Sequence, residues 1–208
     1  MGEEVLSGLP VIPRKTVETE LLAATAVAAD AQQKSSVLDL TSIRDLTLFI
    51  SHGRTATGAF VGAGTEYRVE ASAKATGNDA WLPLASVICG IAAATEITAD
   101  ANEAAGQTLI EIGVNTPAVG DICFWQNNSV DLSEWLKVVA IAAGTTFTCQ
   151  DGLTTAQAAA VKIYNQGEIF TLNFNTRSYK RLRVIVNNNN GTTNQAIVSK
   201  IAATSEVL

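Results

Sequence analysis

The chain has 208 residues, of which 47% are hydrophobic and only 16% charged, against roughly 45–50% and 25% in an average soluble domain. That length holds one sizeable core or two small ones; the low charge and the 15 glycines exclude a coiled coil, and the apolar content excludes a disordered chain. A net charge of −6 and a pI near 4.8 speak against general attraction to nucleic acid or anionic membranes, and the longest near-continuous apolar stretch, 85–94, is far short of the ~20 residues of a spanning helix.

Residues 1–20 contain Pro10 and Pro13 and few periodic apolar positions, so they read as an extended arm that orders against a partner surface. Alanine-rich 23–31 is ambiguous: alanine favours helix, yet 35–40 reads as a strand. The preferred reading is a strand pair joined by the polar turn 30–34, with a short helix as the alternative.

From there the dominant period is two. In Glu66-Tyr67-Arg68-Val69-Glu70-Ala71 the residues Tyr67, Val69 and Ala71 share one face and charges the other, the pattern of a half-buried strand. Further strands are predicted at 46–50, 81–84, 109–112, 121–125, 135–141, 145–149, 161–164, 169–174, 181–186 and 196–201. Turn clusters separate them at 76–79, 143–144, 151–152 and 187–191, where Asn, Asp and Gly tolerate positive φ or bond their own backbone. Many short strands at this spacing predict an all-β sandwich (jelly-roll or immunoglobulin-like). Between 95 and 164 the pattern shifts to shorter strands, which suggests a small β-barrel inserted into the sandwich; one continuous mixed barrel is the alternative. The predicted organisation is an arm over 1–20, a sandwich over 21–94 plus 165–208, and an inserted barrel over 95–164.

Catalytic motifs are scarce. His52 is the single histidine, set in Ile50-Ser51-His52-Gly53-Arg54 at what reads as a strand end entering a loop, an ordinary place for a solvent-facing imidazole. No G-x-S-x-G elbow accompanies it. Cys89, Cys123 and Cys149 lie in apolar runs without C-x-x-C spacing, so they read as small hydrophobes in a chain made in a reducing cytoplasm. The oxygen-bearing group Asp121, Asn127, Asn128, Asp131 and Glu134 lacks the order and glycine of a calcium loop. Gly58 to Gly64 lacks the Lys-Ser/Thr of a phosphate loop. Nothing local nominates a carboxylate pair for hydrolysis. The reading is a non-enzyme with no cofactor, no metal and no catalytic residues.

Contact chemistry is better represented. Arg177, Lys180, Arg181 and Arg183 form a basic cluster, either a solvated strand face or a docking patch for an acidic partner. Trp125 and Trp135 flank the polar loop 126–133, so one of them is a candidate for an exposed contact, although core packing is the default for both.

Several of these segments carry a resemblance. Ser36-Val37-Leu38-Asp39-Leu40, Leu46 to Ile50, Tyr67 to Ser72, Asn78 to Leu84 and the closing pair Lys180 to Val186 and Gln195 to Val198 resemble β-sandwich domains of tailed-bacteriophage virion proteins. The segments around Val119-Gly120-Asp121-Ile122, Glu134 to Val138 and Asp151-Gly152-Leu153 are similar to small β-barrel modules of such proteins. The resemblance covers most of 21–208 and implies a particle component assembled in the host cytoplasm and located in the virion. A capsid decoration or cement protein leads, bound to the major capsid protein or other virion proteins, with no nucleic acid or membrane partner, and homo-oligomeric with a trimer favoured. The arm residues Leu9, Val11, Ile12, Arg14 and Lys15, with Arg177, Arg181, Arg183, Trp125 and Trp135, are the candidate partner-binding residues. Truncation of 1–20 is expected to abolish binding. The alternatives are a carbohydrate-binding module reading glycans through the tryptophans, or a neck, tail or head-fibre component in host attachment.

Overall fold

A computed structural model describes residues 15–57, 62–77, 80–90, 92–142, 144–190 and 196–207. Their regular structure is all strand apart from one 3-10 turn, Val130–Leu132. The strands are β1 (Lys15–Val27), β2 (Gln32–Lys34), β3 (Leu38–Asp39), β4 (Ile43–Arg54), β5 (Gly62–Ser72), β6 (Leu82–Cys89) and β7 (Glu96–Ala99). They continue as β8 (Leu109–Val114), β9 (Ile122–Trp125), β10 (Glu134–Ala142), β11 (Thr146–Cys149), β12 (Lys162–Asn175), β13 (Arg181–Asn190) and β14 (Ile197–Val207).

Alternation decides the first layer. In β4, Leu46, Leu48 and Ile50 are buried while Phe49 between them is exposed, and β12 alternates the same way from Glu168 to Asn175. Each strand therefore has one apolar face to bury. Antiparallel pairing β1-β14-β4-β12 gathers those faces into one sheet. A second antiparallel sheet, β2-β13-β5-β6 with β3 also on β13, supplies Tyr67, Val69, Cys89, Leu182, Val184 and Val186 to the same core. The result is the β-sandwich that the period-two pattern predicts.

The remaining strands share a second core. The chain of pairings β12-β7-β8-β11-β10-β9 returns to β12, which bonds β7 at Lys162–Tyr164 and β9 at Ile163, Tyr164 and Gly167. This closed ring surrounds Ile97, Ile110, Cys123, Trp125, Val138 and Phe147, among others. Closure leaves these short strands without open edges.

Four expectations need correction. Residues 15–20 are not arm but the start of β1, paired with β14 from Lys15↔Val207 to Glu20↔Ala202, because the last strand of the chain offers them a ladder. Residues 23–27 are strand, as the preferred reading has them, but the predicted turn 30–34 contains β2, and both β2 and the short β3 within 35–40 pair with β13 in the other sheet, so the two predicted strands are not a hairpin pair. The two strands predicted at 161–164 and 169–174 are one, since the chain absorbs its irregularity in a bulge at Gln166 (φ 64) and Gly167 instead of breaking. Asn187 to Asn190 extend β13 rather than turning. The buried Asn188 carboxamide donates to the carbonyls of Val27 (3.1 Å) and Ala28 (3.0 Å), which gives a turn-forming residue a reason to stay extended.

Candidate functional site

Where β4 leaves the sandwich and meets the ring, burial spreads to both its faces: His52, Gly53 and Arg54 are all buried. His52 is therefore not solvent-facing, as its sequence setting suggests, but wholly interior. Its Nδ1 lies 2.9 Å from the Tyr67 hydroxyl, with the two rings edge to face. Burial, and secondarily the Arg54 charge, pulls its pKa down to about 3. Arg54 donates to the carbonyl of Ala92 at 2.7 Å, and Glu168 accepts from the backbone N–H of Gly90 at 2.8 Å. These charges hold the segment that carries the chain from β6 to β7. Burial also raises the thiol pKa of Cys89, Cys123 and Cys149, and none of the three is disulfide-bonded.

The oxygen-rich loop is occupied by its own turns. Asp121 accepts from the N–H of Ala118 (2.9 Å), Asn127 from that of Ser129 (3.0 Å), and Asp131 from the Ser129 hydroxyl (2.6 Å). Glu134 clasps the N–H groups of Thr154 (2.8 Å) and Thr155 (3.0 Å). Burial pushes its pKa up, but the donors Thr154, Gln157 and Thr155 together hold it below the usual carboxylate value. Among the described residues no group of three or more His, Cys, Asp and Glu side chains is arranged to hold a metal ion.

The basic cluster divides. Arg183 stacks 4.2 Å over Trp81 and bonds Glu70 through Nε (2.8 Å) and Nη2 (2.7 Å). Arg181 lies 4.9 Å over the same ring and donates to the carbonyls of Lys74 (2.8 Å) and Gly77 (2.7 Å). Both guanidinium groups are thus engaged in fixing the β5–β6 connection to the sheet. Arg177, in contrast, is exposed beside a shallow cavity of about 310 Å³ that also holds Arg44, Tyr179 and Lys180.

The tryptophans divide as well. Trp125 is fully buried in the ring core, which takes it off any contact or sugar-stacking surface. Its position inside a four-residue apolar strand, Ile-Cys-Phe-Trp, is the physical reason. Trp135, paired with Phe124 across β10 and β9 and 4.9 Å from its ring, is half-buried. It lines a groove of about 300 Å³ between the ring and the outer face of the β1-β14-β4-β12 sheet. Phe49 (38% exposed) and Ile169 (47% exposed) form the apolar wall on the sandwich side, with Lys200 and the buried Glu134 also lining the groove. Sequence reasoning missed Phe49 and Ile169, although the signal was present: Phe49 occupies the polar-face position of a strand whose other face is Leu46, Leu48 and Ile50. Of the arm residues, Lys15 opens β1 at the edge of the sheet, whereas Leu9, Val11, Ile12 and Arg14 lie outside the described residues.

No protein-family model matches the chain, and no curated protein matches it. Among solved structures it is similar to VP17, a capsid protein of bacteriophage P23-77, at 7% identity and a TM-score of 0.22, covering 94% of this chain and 97% of that one. It is also similar to a chain in the structure of infectious bursal disease virus, Gt strain, at 6% identity and a TM-score of 0.24, covering 93% of this chain and 41% of that one.

Proposed function

We propose that the protein is a non-enzymatic structural component of a virus particle, in particular a capsid decoration or cement protein that oligomerises and binds the capsid exterior. The reading extends the sequence resemblance to tailed-phage virion proteins. The observation that carries it is the division of labour among side chains: the reactive groups His52, Cys89, Cys123 and Cys149 are buried, while Phe49, Ile169 and Trp135 present a contact groove. In this reading β1 supports the arm. β1 begins at Lys15 on the edge of its sheet, and the reading has Leu9, Val11, Ile12 and Arg14 engage the capsid from there. Ordering such a segment costs about 1–2 kcal/mol per residue in backbone entropy, which the burial of its apolar side chains offsets. The ring is then an inserted module that sets one wall of the groove.

Cosedimentation with capsids lacking the protein tests this. The truncation should stop at residue 14, because removing 15–20 would also strip a paired stretch of β1. The full chain is expected to cosediment and residues 15–208 to remain in solution while keeping the thermal transition of the full chain. Trp135→Ala should weaken particle binding by about tenfold, the ordinary loss for an aromatic contact worth about 1.4 kcal/mol. Undiminished binding by the truncated chain would remove the arm from the mechanism.

A further inference from the structure

Among the described residues the sandwich has four margins, and their chemistry differs. On the first sheet, β12 from Glu168 to Asn175 pairs with β4 alone, so its other side is open, with Glu168 at its start as its one charge. β1 carries Glu18 and Glu20 and is broken by two bulges. On the opposite sheet, β2 is three residues long and ends in Lys34, and β3 is only two. These are the ordinary devices that keep an edge from pairing with another chain: charge, irregularity and brevity. β6 is irregular at one end only, with a bulge at Leu84 next to Pro83, and it has neither charge nor brevity. It runs Leu-Pro-Leu-Ala-Ser-Val-Ile-Cys with no charged residue, and among the described residues it pairs with β5 alone. Pro83 blunts only its first turn of ladder, where a missing N–H is tolerated because the strand is an edge. Beyond it, Ile88 is 53% exposed and Ser86 is exposed on the outward face, while Ala85, Val87 and Cys89 face the core.

We propose that β6 is a self-pairing edge: the β6 strands of two copies lie antiparallel and join their β2-β13-β5-β6 sheets into one. Backbone groups from Ala85 to Cys89, the stretch past the bulge, supply the ladder. The absence of charge identifies the occupant. A two-fold antiparallel pairing sets each strand against its own sequence, so any charge near the centre would face its like; β6 has none to repel. The next strand inward reinforces this choice, since its Glu66 and Arg68 are already paired with each other and with Ser86, Asn187 and Glu70. Closing the pair also covers the exposed Ile88. The inference stands apart from the particle reading, and it predicts a two-fold unit rather than the trimer favoured from sequence.

The test is solution mass by light scattering of the full chain from about 1 to about 100 µM, where a reversible pair changes with concentration. The variant is Ser86→Lys/Ile88→Lys. Both positions are outward-facing and exposed; Glu66 stands opposite Ile88 and partners a new charge there, whereas Ser86 stands opposite Arg68, so the single Ile88→Lys variant is the one that keeps the monomer's own charges matched. Circular dichroism confirms that the variant is folded, and Ile88→Lys alone serves as a milder second variant. The wild type is expected to form an even-numbered assembly, with self-association weakened at least about tenfold in the double variant and less in the single one. A wild-type monomer at every concentration would overturn the proposal. So would an assembly, odd or even, whose mass both folded variants leave unchanged.

Discussion

At the scale of single residues, burial rather than sequence neighbourhood sets the chemistry. His52 has local neighbours that suit a surface loop, yet it is sealed beside Tyr67 and Arg54. Its folded pKa, about 3, lies below the ordinary 6.5. The unfolded chain therefore binds a proton that the folded one refuses between those values. Stability gained by keeping His52 neutral is complete above about pH 6.5 and is lost as pH falls toward 3, at up to about 1.4 kcal/mol per pH unit. Urea unfolding between about pH 7 and 5.5, above the range where most carboxylates titrate, should show stability falling with acid. His52→Gln should flatten that slope while lowering stability at pH 7. An unchanged slope in the variant would place the titrating group elsewhere.

At the scale of elements, the strands were readable and their coverage was not. Alternation located the half-buried strands, from β5 with Tyr67 and Val69 inward to β10 and β11, because a side-chain period of two is a local property. What covers a strand is set by distant residues. Burial on both faces of β4 after Ser51 arises because Phe124, some 70 residues away, packs on Gly53. Trp125 and Trp135 look alike from sequence, but only the fold puts one inside the ring and the other at its wall. Gly53 tests the coverage directly. A Cβ there would lie 2.5 Å from the ring atoms of Phe124, itself fully buried, so Gly53→Ala should destabilise by about 1–3 kcal/mol through overpacking. At Gly113, also in a strand, a Cβ would meet only the Asp100 carboxylate at 3.6 Å. Gly113→Ala should change stability by less than about 0.5 kcal/mol. Equal effects of the two substitutions in chemical denaturation would mean that the Phe124 contact is not a close one in solution.

At the scale of the molecule, two cores share one strand. β12 supplies Ile163 to the ring core and packs Phe170, Leu172 and Phe174 against the sandwich core, without interruption of the chain. At the crossover Gly167 comes within van der Waals reach of backbone from both sides: a Cβ there would stand 3.0 Å from the Ile122 carbonyl and 3.4 Å from that of His52. Arg54 and Glu168, from β4 and β12, fasten the backbone at Ala92 and Gly90. Melting the ring would free half of β12, expose Phe124 and release that segment, so the cost of opening either part falls on both. The two are therefore expected to unfold together, in a single transition. Trp81 reports on the sandwich, while Trp125 and Trp135 belong to the ring. In Trp81→Phe/Trp135→Phe, the fluorescence of Trp125, sealed in the ring core, then follows the ring alone and far-ultraviolet circular dichroism follows all strands. Coincident midpoints and slopes in urea would establish one cooperative unit. A ring signal that melts first would show instead that the insert folds on a core of its own, and that β12 is a hinge between two domains.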